Sequence, residues 1–386
     1  MAKLNLIATS TFGLEATVKR EVQRLGFDDI KVSDGRIDFS GDLSAIPRAN
    51  IWLRSADRVY LVIGEFKALT FDELFEGTKA LPWDEWIPKD GKFTVIVKSV
   101  KSQLFSVSDC QAIVKKAVVE KLKQKYKVDW FEETGAEYKI QVGLLRDVAT
   151  LVIDTSGAGL HKRGYRQDSV IAPIKETLAA AMIELSYWRK DRVLLDPMCG
   201  SGTIPVEAAM MAKNIAPGLT RNFASEEWQR IGKKIWQQAR DEANDLIDKD
   251  AAPEIYASDI SRAATDAAKQ NAIKADVKRY IKFETKPFNE VTLPTEYGVA
   301  IMNPPYGERI GEKTEVDELY RDIGKLLKDN RKWSTYVITS NEEFEKFFGR
   351  RADAKRKLFN GMLKTDYYQY YGERPPKMPI SREVHG

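Results

Sequence analysis

Short apolar runs alternate along this chain with longer stretches of helical spacing, and the two periods exchange repeatedly from the first residues to near the last. In the first 50 residues, 4–8 form a β-prone run, 11–25 show helical spacing, and 31–39 alternate around the turn Asp34-Gly35. Strands are predicted next at 58–66 and 92–100, helices at 70–80 and 108–125, and a strand pair at 138–144 and 148–154. A helix over 172–188 follows, with Leu178, Ala181, Met182, Leu185 and Trp188 on one face and Pro173 at its first turn. Five strands are predicted after it, at 193–196, 255–259, 281–284, 299–303 and 335–339, in a mostly parallel sheet with helices on both faces. A closing hairpin joins 355–358 to 363–371 around Asn360-Gly361.

At 386 residues the chain exceeds what one core supports, so two or three domains are expected. The apolar fraction of 43% fills such cores, while no long uncharged run is present to span a bilayer and residues 1–10 lack a signal-peptide core. A cytoplasmic enzyme is expected. Cys110 and Cys199 give no disulfide framework, and His161 and His385 are too few for histidine-based metal chemistry, so no metal site is expected.

The candidate chemistry lies in three motifs. Asn303-Pro304-Pro305-Tyr306 ends a predicted buried strand, and its two prolines stiffen the turn and remove two backbone donors. The Asn303 amide oxygen and the Pro304 carbonyl can each accept one N–H of an exocyclic amine, with the Tyr306 ring stacking on the attached heterocycle. About a hundred residues earlier, Asp196-Pro197-Met198-Cys199-Gly200-Ser201-Gly202-Thr203 reads as strand end, glycine loop and helix start, which suits a carboxylate at the helix N-terminus. The third glycine of the dinucleotide fingerprint is missing, and Asp196 favours a ligand that carries an ammonium group. A second strand ends at Asp259-Ile260, where a doubly wound fold meets a ribose hydroxyl; as a lone feature that acid reads as a helix cap. Cys199 admits a nucleophile reading, set against a small residue packed beneath a ligand.

These motifs resemble those of class I S-adenosylmethionine-dependent methyltransferases, with Asp196 to Thr203, Asp259 and Ile260 on the cofactor and Asn303, Pro304, Pro305 and Tyr306 at the reacting amine. The segment Leu160-His161-Lys162-Arg163-Gly164-Tyr165-Arg166, followed by Ala172-Pro173-Ile174-Lys175-Glu176-Thr177, resembles the bridge of THUMP-domain RNA methyltransferases of the RlmL/YpsC-like family. The resemblance spans essentially the whole chain. It implies an α/β fold with a Rossmann-like, seven-stranded methyltransferase domain at 157–386, a ferredoxin-like α+β segment at 1–50 and a THUMP domain at 51–156. It also implies Pro173 near the cofactor, S-adenosyl-L-methionine as cofactor, and methylation of guanine N2 in RNA. Of the RNAs, 23S ribosomal RNA is favoured and tRNA is second. The sequence departs from the family at Pro287, where an acid commonly receives the adenine amino group; Phe288 or a backbone group would take its place. Adenine-N6 methylation of DNA shares the tetrapeptide, and a non-catalytic RNA-binding or assembly protein is the reading from another class.

The net charge of +4 is modest, but Lys98, Lys101, Lys115, Lys116, Lys121, Lys123, Lys125 and Lys127 crowd one segment. On a helix they would present either a phosphate-facing stripe or a solvated face. Two helices on a small sheet suit an RNA-binding ancillary domain, with stabilisation or dimerisation as the alternative. Arg163, Tyr165 and Arg166 of the glycine-rich bridge either contact RNA or pin the domains. Trp228 and Trp236, in a helical insertion at 212–253, are expected packing anchors. Tyr367, Tyr368, Tyr370 and Tyr371 are read as strand alternation in preference to base stacking, and the tail from Arg374 as loosely ordered.

Overall fold

A computed structural model describes residues 3–166, 174–306 and 312–376; the expected tail from residue 377 on lies outside them. The chain divides into two compact units, one of residues 1–164 with 215–247 and the other of 165–214 with 248–386.

The first unit is built on a seven-stranded sheet. Its strands are β1 (Leu4–Ser10), β2 (Asp28–Ser33), β3 (Arg36–Gly41), β4 (Ala56–Lys67), β5 (Lys92–Val100), β6 (Glu137–Leu145) and β7 (Val148–Asp154), in the order β2-β3-β1-β4-β7-β6-β5. All pairs are antiparallel except β5 with β6. β6 buries every second residue, so one face is covered; the helix Val107–Tyr126 packs on its neighbour β5, and the short helix Ala224–Glu227 packs on β6 itself. The cut expected at residue 50 falls inside the helix Ala45–Trp52, which the sequence reading did not place, and β4 carries the sheet across it by pairing with both β1 and β7.

Residues 215–247 belong to this unit although they interrupt the predicted parallel strands. Trp228 is 1% exposed, stacks on Tyr138 at 4.8 Å and meets Trp86 edge-on at 6.3 Å. Trp236 stacks on Phe223 at 5.2 Å and donates Nε1–H to the Ser225 carbonyl at 3.1 Å. Arg221 donates to the Ala158 and Gly159 carbonyls at 2.7 Å each, so residues 157–164 also stay with the first unit.

The second unit carries β8 (Leu194–Asp196), β9 (Ile255–Asp259), β10 (Ile281–Thr285), β11 (Gly298–Met302), β12 (Trp333–Thr339), β13 (Ala354–Asn360) and β14 (Leu363–Tyr370). Their order is β10-β9-β8-β11-β12-β14-β13, parallel from β10 to β12 and antiparallel at β14 and β13. Every residue of β11 and β12 is buried, as a parallel strand covered on both faces requires. The β13–β14 loop is Gly361-Met362, one residue later than the expected Asn360-Gly361, because Asn360 still pairs with Leu363. The tyrosines of β14 are structural: Tyr367, Tyr368 and Tyr370 are buried and donate to the carbonyls of Met182, Asn341 and Arg350. The helix expected over 172–188 runs Glu176–Glu184, and its predicted start, with Pro173, lies outside the described residues. No described helix is long and apolar enough to cross a membrane.

Candidate active site

The strand order reverses at β8, whose neighbours β9 and β11 lead away in opposite directions, and ligands of such sheets bind at the carboxyl ends flanking this point. Asp196 closes β8, Asp259 closes β9, and Asn303 follows β11, so folding assembles the three predicted motifs at one edge.

Asp196 is 1% exposed and accepts the Met198 N–H at 3.3 Å. Burial pushes its carboxyl well above the ordinary carboxylate range, the Met198 N–H opposes that, and the Asp259 charge adds to it. Asp259 spans the glycine loop, accepting the Gly200 N–H at 2.9 Å on one oxygen and the Ser261 N–H at 2.9 Å on the other. Ile260 beside it is 75% exposed, an apolar side chain free to cover a flat ring. Ser261 caps the helix Arg262–Lys274, so the capping role proposed for the strand-end acid falls to its neighbour.

The two loop glycines differ. Gly200 has φ +51° and faces open space, with nothing within 4 Å of an added Cβ, whereas a Cβ on Gly202 (φ +78°) would lie 2.8 Å from the Ala268 Cβ. Gly200 leaves room for a ligand; Gly202 lets two helices approach. Ser201 and Thr203 are buried, the Ser201 carbonyl accepting from the Asn271 amide at 2.9 Å and the Thr203 hydroxyl from Arg166 at 2.8 Å. Pro197 is buried as well, and its carbonyl accepts from the Ser258 hydroxyl at 3.4 Å. Burial, then the Asp196 and Asp259 charges, raise the Cys199 thiol well above its ordinary range, which keeps it protonated and sets aside the nucleophile reading.

In the tetrapeptide, the Tyr306 hydroxyl donates to Asn303 Oδ1 at 2.6 Å, and the Asn360 amide lies 3.4 Å from that hydroxyl. The Pro305 carbonyl accepts from Tyr320, whose phenol burial pushes up to about 12. The Pro304 carbonyl accepts no hydrogen bond from the described residues. Pro304 is buried and Pro305 exposed. Tyr320 and Asn360 were not found from sequence: one follows an amphipathic helix pattern, and the other sits in an Asn-Gly pair that reads only as a turn.

Three predicted RNA contacts are corrected. Arg163 is 2% exposed and donates to the Leu160 and Arg54 carbonyls. Tyr165 is 4% exposed and donates to Glu207 at 3.0 Å. Arg166 donates to the Ile174 carbonyl and Thr203, with its Nε 3.2 Å from buried Glu176 as an ion pair. Their cations and hydroxyl are spent on protein groups. The lysine stripe is broken too, since Lys121 and Lys125 both pair with Asp84, at 3.7 and 3.5 Å. Lys115 and Lys116 stay exposed, over the rings of Phe93 and Phe75. Pro287 is half-buried, and Phe288 packs against the second unit's core. No described residues form a group of three or more acids, cysteines or histidines placed to hold a metal ion.

Three family models match the chain: the RlmL ferredoxin-like domain over residues 5–60, the THUMP domain over 68–154, and the RMKL-like methyltransferase domain over 163–369. The chain belongs to the RMKL-like methyltransferase family, and its second sheet is the seven-stranded sheet of class I methyltransferases. It is 53% identical over 379 residues to the Bacillus subtilis protein named "Putative RNA methyltransferase YpsC", covering 98% of each chain. It is 34% identical over 373 residues to ribosomal RNA large subunit methyltransferase K/L of Cellvibrio japonicus, covering 93% of this chain and 50% of that protein, and so spans half that relative's length. A crystal structure from Listeria monocytogenes, described as "a predicted N6-adenine-specific DNA methylase", is 52% identical with a TM-score of 0.93 over 97% of each chain. SMU.472, solved in complex with SAH, is 42% identical with a TM-score of 0.92 over 97% of this chain and 100% of that one.

Proposed function

We propose that this chain transfers a methyl group from S-adenosylmethionine to the exocyclic N2 of a guanine in RNA, with 23S ribosomal RNA as the substrate. One observation carries the reaction type: Asn303 Oδ1 and the Pro304 carbonyl, to which no described residue donates, stand together after β11, beside the strand ends that carry Asp196 and Asp259. An aromatic amine is a poor nucleophile because its lone pair is delocalised. Two acceptors that take its two N–H bonds localise that pair and aim it, so the chain acts by positioning and electrostatics. Asn303 Oδ1 keeps a second lone pair beside the Tyr306 hydroxyl for the substrate amine, and the Tyr306 ring would stack on the base.

The pocket fits the cofactor. Gly200 leaves open space at the loop, Ile260 offers an exposed apolar face, and Asp196 and Asp259 supply acceptors for an ammonium and a ribose. When bound, S-adenosylmethionine supplies an electrophilic methyl group. SMU.472, 42% identical, binds SAH.

RNA as the substrate is supported by the THUMP match and by the relatives named for RNA and large-subunit ribosomal RNA. The Listeria relative's description favours a second reading, adenine N6 of DNA, because the same two acceptors serve any exocyclic aromatic amine. Guanine N2 of tRNA is the third. Labelled methyl transfer to separately purified, unmodified 23S rRNA, tRNA and DNA, followed by nucleoside analysis, separates them. N2-methylguanosine in the ribosomal fraction is expected; N6-methyladenine in DNA would overturn the reading. Asn303→Ala is expected to lose at least about a hundredfold in turnover while it binds S-adenosylmethionine as before in calorimetry.

A further inference from the structure

We propose that the β13–β14 hairpin is a finger that enters the RNA beside the target base, with Met362 as an apolar wedge at its tip. This rests on the RNA reading above.

The finger's reach follows from register. Thr339, the last residue of β12, pairs with Asp366 of β14. From Asp366 the hairpin continues back through Leu363 to Met362, about 13 Å beyond the carboxyl end of β12 at roughly 3.3 Å per residue. That is the edge on which Asp196, Asp259 and Asn303 stand. The finger also touches the tetrapeptide close to its tip, since the amide of Asn360, which pairs with Leu363 to close the loop, lies 3.4 Å from the Tyr306 hydroxyl that holds Asn303.

Its tip is chemically unlike a turn. Gly361, with φ +65°, supplies the left-handed first position of a two-residue loop, and the second position ordinarily takes a small polar residue. Here it is Met362, 99% exposed. Scattered apolar side chains on a surface are ordinary, but this one crowns a projection over the site. Methionine is unbranched and polarisable and makes favourable contacts with aromatic rings, which suits insertion between bases. Exposed Lys364 lies two residues from the tip and exposed Lys357 further back, opposite Asp366, two cations along the finger for phosphates, with Glu342 4.0 Å from Lys364.

A base within a stack cannot reach the Asn303 acceptors, so it must leave the stack, and a group that takes its place lowers the cost of that step. Met362 acts after binding and is a positioning residue, so its loss moves kcat and spares the KM for RNA.

The test uses the full chain and unmodified 23S rRNA. Met362→Ala is expected to lower kcat about tenfold, with KM and calorimetric S-adenosylmethionine affinity within about twofold of the parent. Met362→Leu should restore turnover, whereas Met362→Gln, similar in length but polar, should behave like the alanine variant. Alanine activity within about twofold of the parent, a loss confined to KM, or a glutamine variant as active as the parent would each overturn the wedge. Absence of transfer by the parent chain to rRNA, tRNA or DNA would instead fail the underlying reading, and the wedge with it.

Discussion

Asp196 sits where ligand binding and protonation must compete. Its pKa in the folded chain is raised above the ordinary 3.8, chiefly by burial, so the folded state holds the proton more tightly than the unfolded one. Its contribution to stability is therefore greatest in acid and falls as pH rises from 3.8 towards the raised value. A bound ammonium group favours the ionised carboxylate. Within that window S-adenosylmethionine should bind more tightly as pH rises and should release a proton, measured by calorimetry in two buffers of different ionisation enthalpy. Asp196→Asn should flatten the slope and weaken binding; a parent chain with no slope and no proton release would refute the assignment. The strand-end acids and the Asn-Pro-Pro-Tyr turn were legible in sequence because backbone chemistry restricts which residues suit such ends. Arg163, Tyr165 and Arg166 were not, since the same basic and aromatic side chains serve an RNA or a buried carbonyl, and only Arg54, Glu207 and Glu176 decide between them.

Between β8 and its helix, the two glycines separate binding from folding. Gly200→Ala meets nothing, so it should cost only the left-handed backbone, about 1 kcal/mol, while its methyl group occupies the open space and weakens cofactor binding. Gly202→Ala brings the same backbone cost and a 2.8 Å approach to Ala268, so it should destabilise the second unit by about 2–4 kcal/mol. Urea unfolding beside cofactor titration distinguishes the two; equal stability loss in both variants would contradict the geometry. The strands themselves were read closely from sequence because β11 is apolar throughout, β12 has a β-prone core in Tyr336-Val337-Ile338, and β6 alternates. The hairpin turn slipped by one residue because Asn360-Gly361 and Gly361-Met362 both place glycine where a tight turn accepts it. The lysine helix misled for a different reason: the cations follow one another in sequence, but Asp84, packed from another element, draws Lys121 and Lys125 away.

Sequence order conceals one feature of the whole chain, that the first unit is completed by residues from beyond the start of the second. The insertion's tryptophans were recognisable as anchors, but nothing in their own segment says which core they enter. Trp228 stacks on Tyr138, meets Trp86 and donates to the Glu137 carbonyl at 3.1 Å, while the Gly218 N–H bonds the Ile51 carbonyl at 2.9 Å. A fragment of residues 1–164 would leave Trp86 and Tyr138 uncovered, and it is expected to aggregate or unfold without cooperativity. Joining 215–247 to it through a flexible linker should restore a cooperative urea transition. In the full chain, Trp228→Ala should destabilise the first unit by about 3–5 kcal/mol, seen as faster hydrogen exchange in β5 and β6 with β8 to β12 unchanged. A fragment 1–164 that unfolds as stably as the joined form would mean that the insertion only rests on a core already complete.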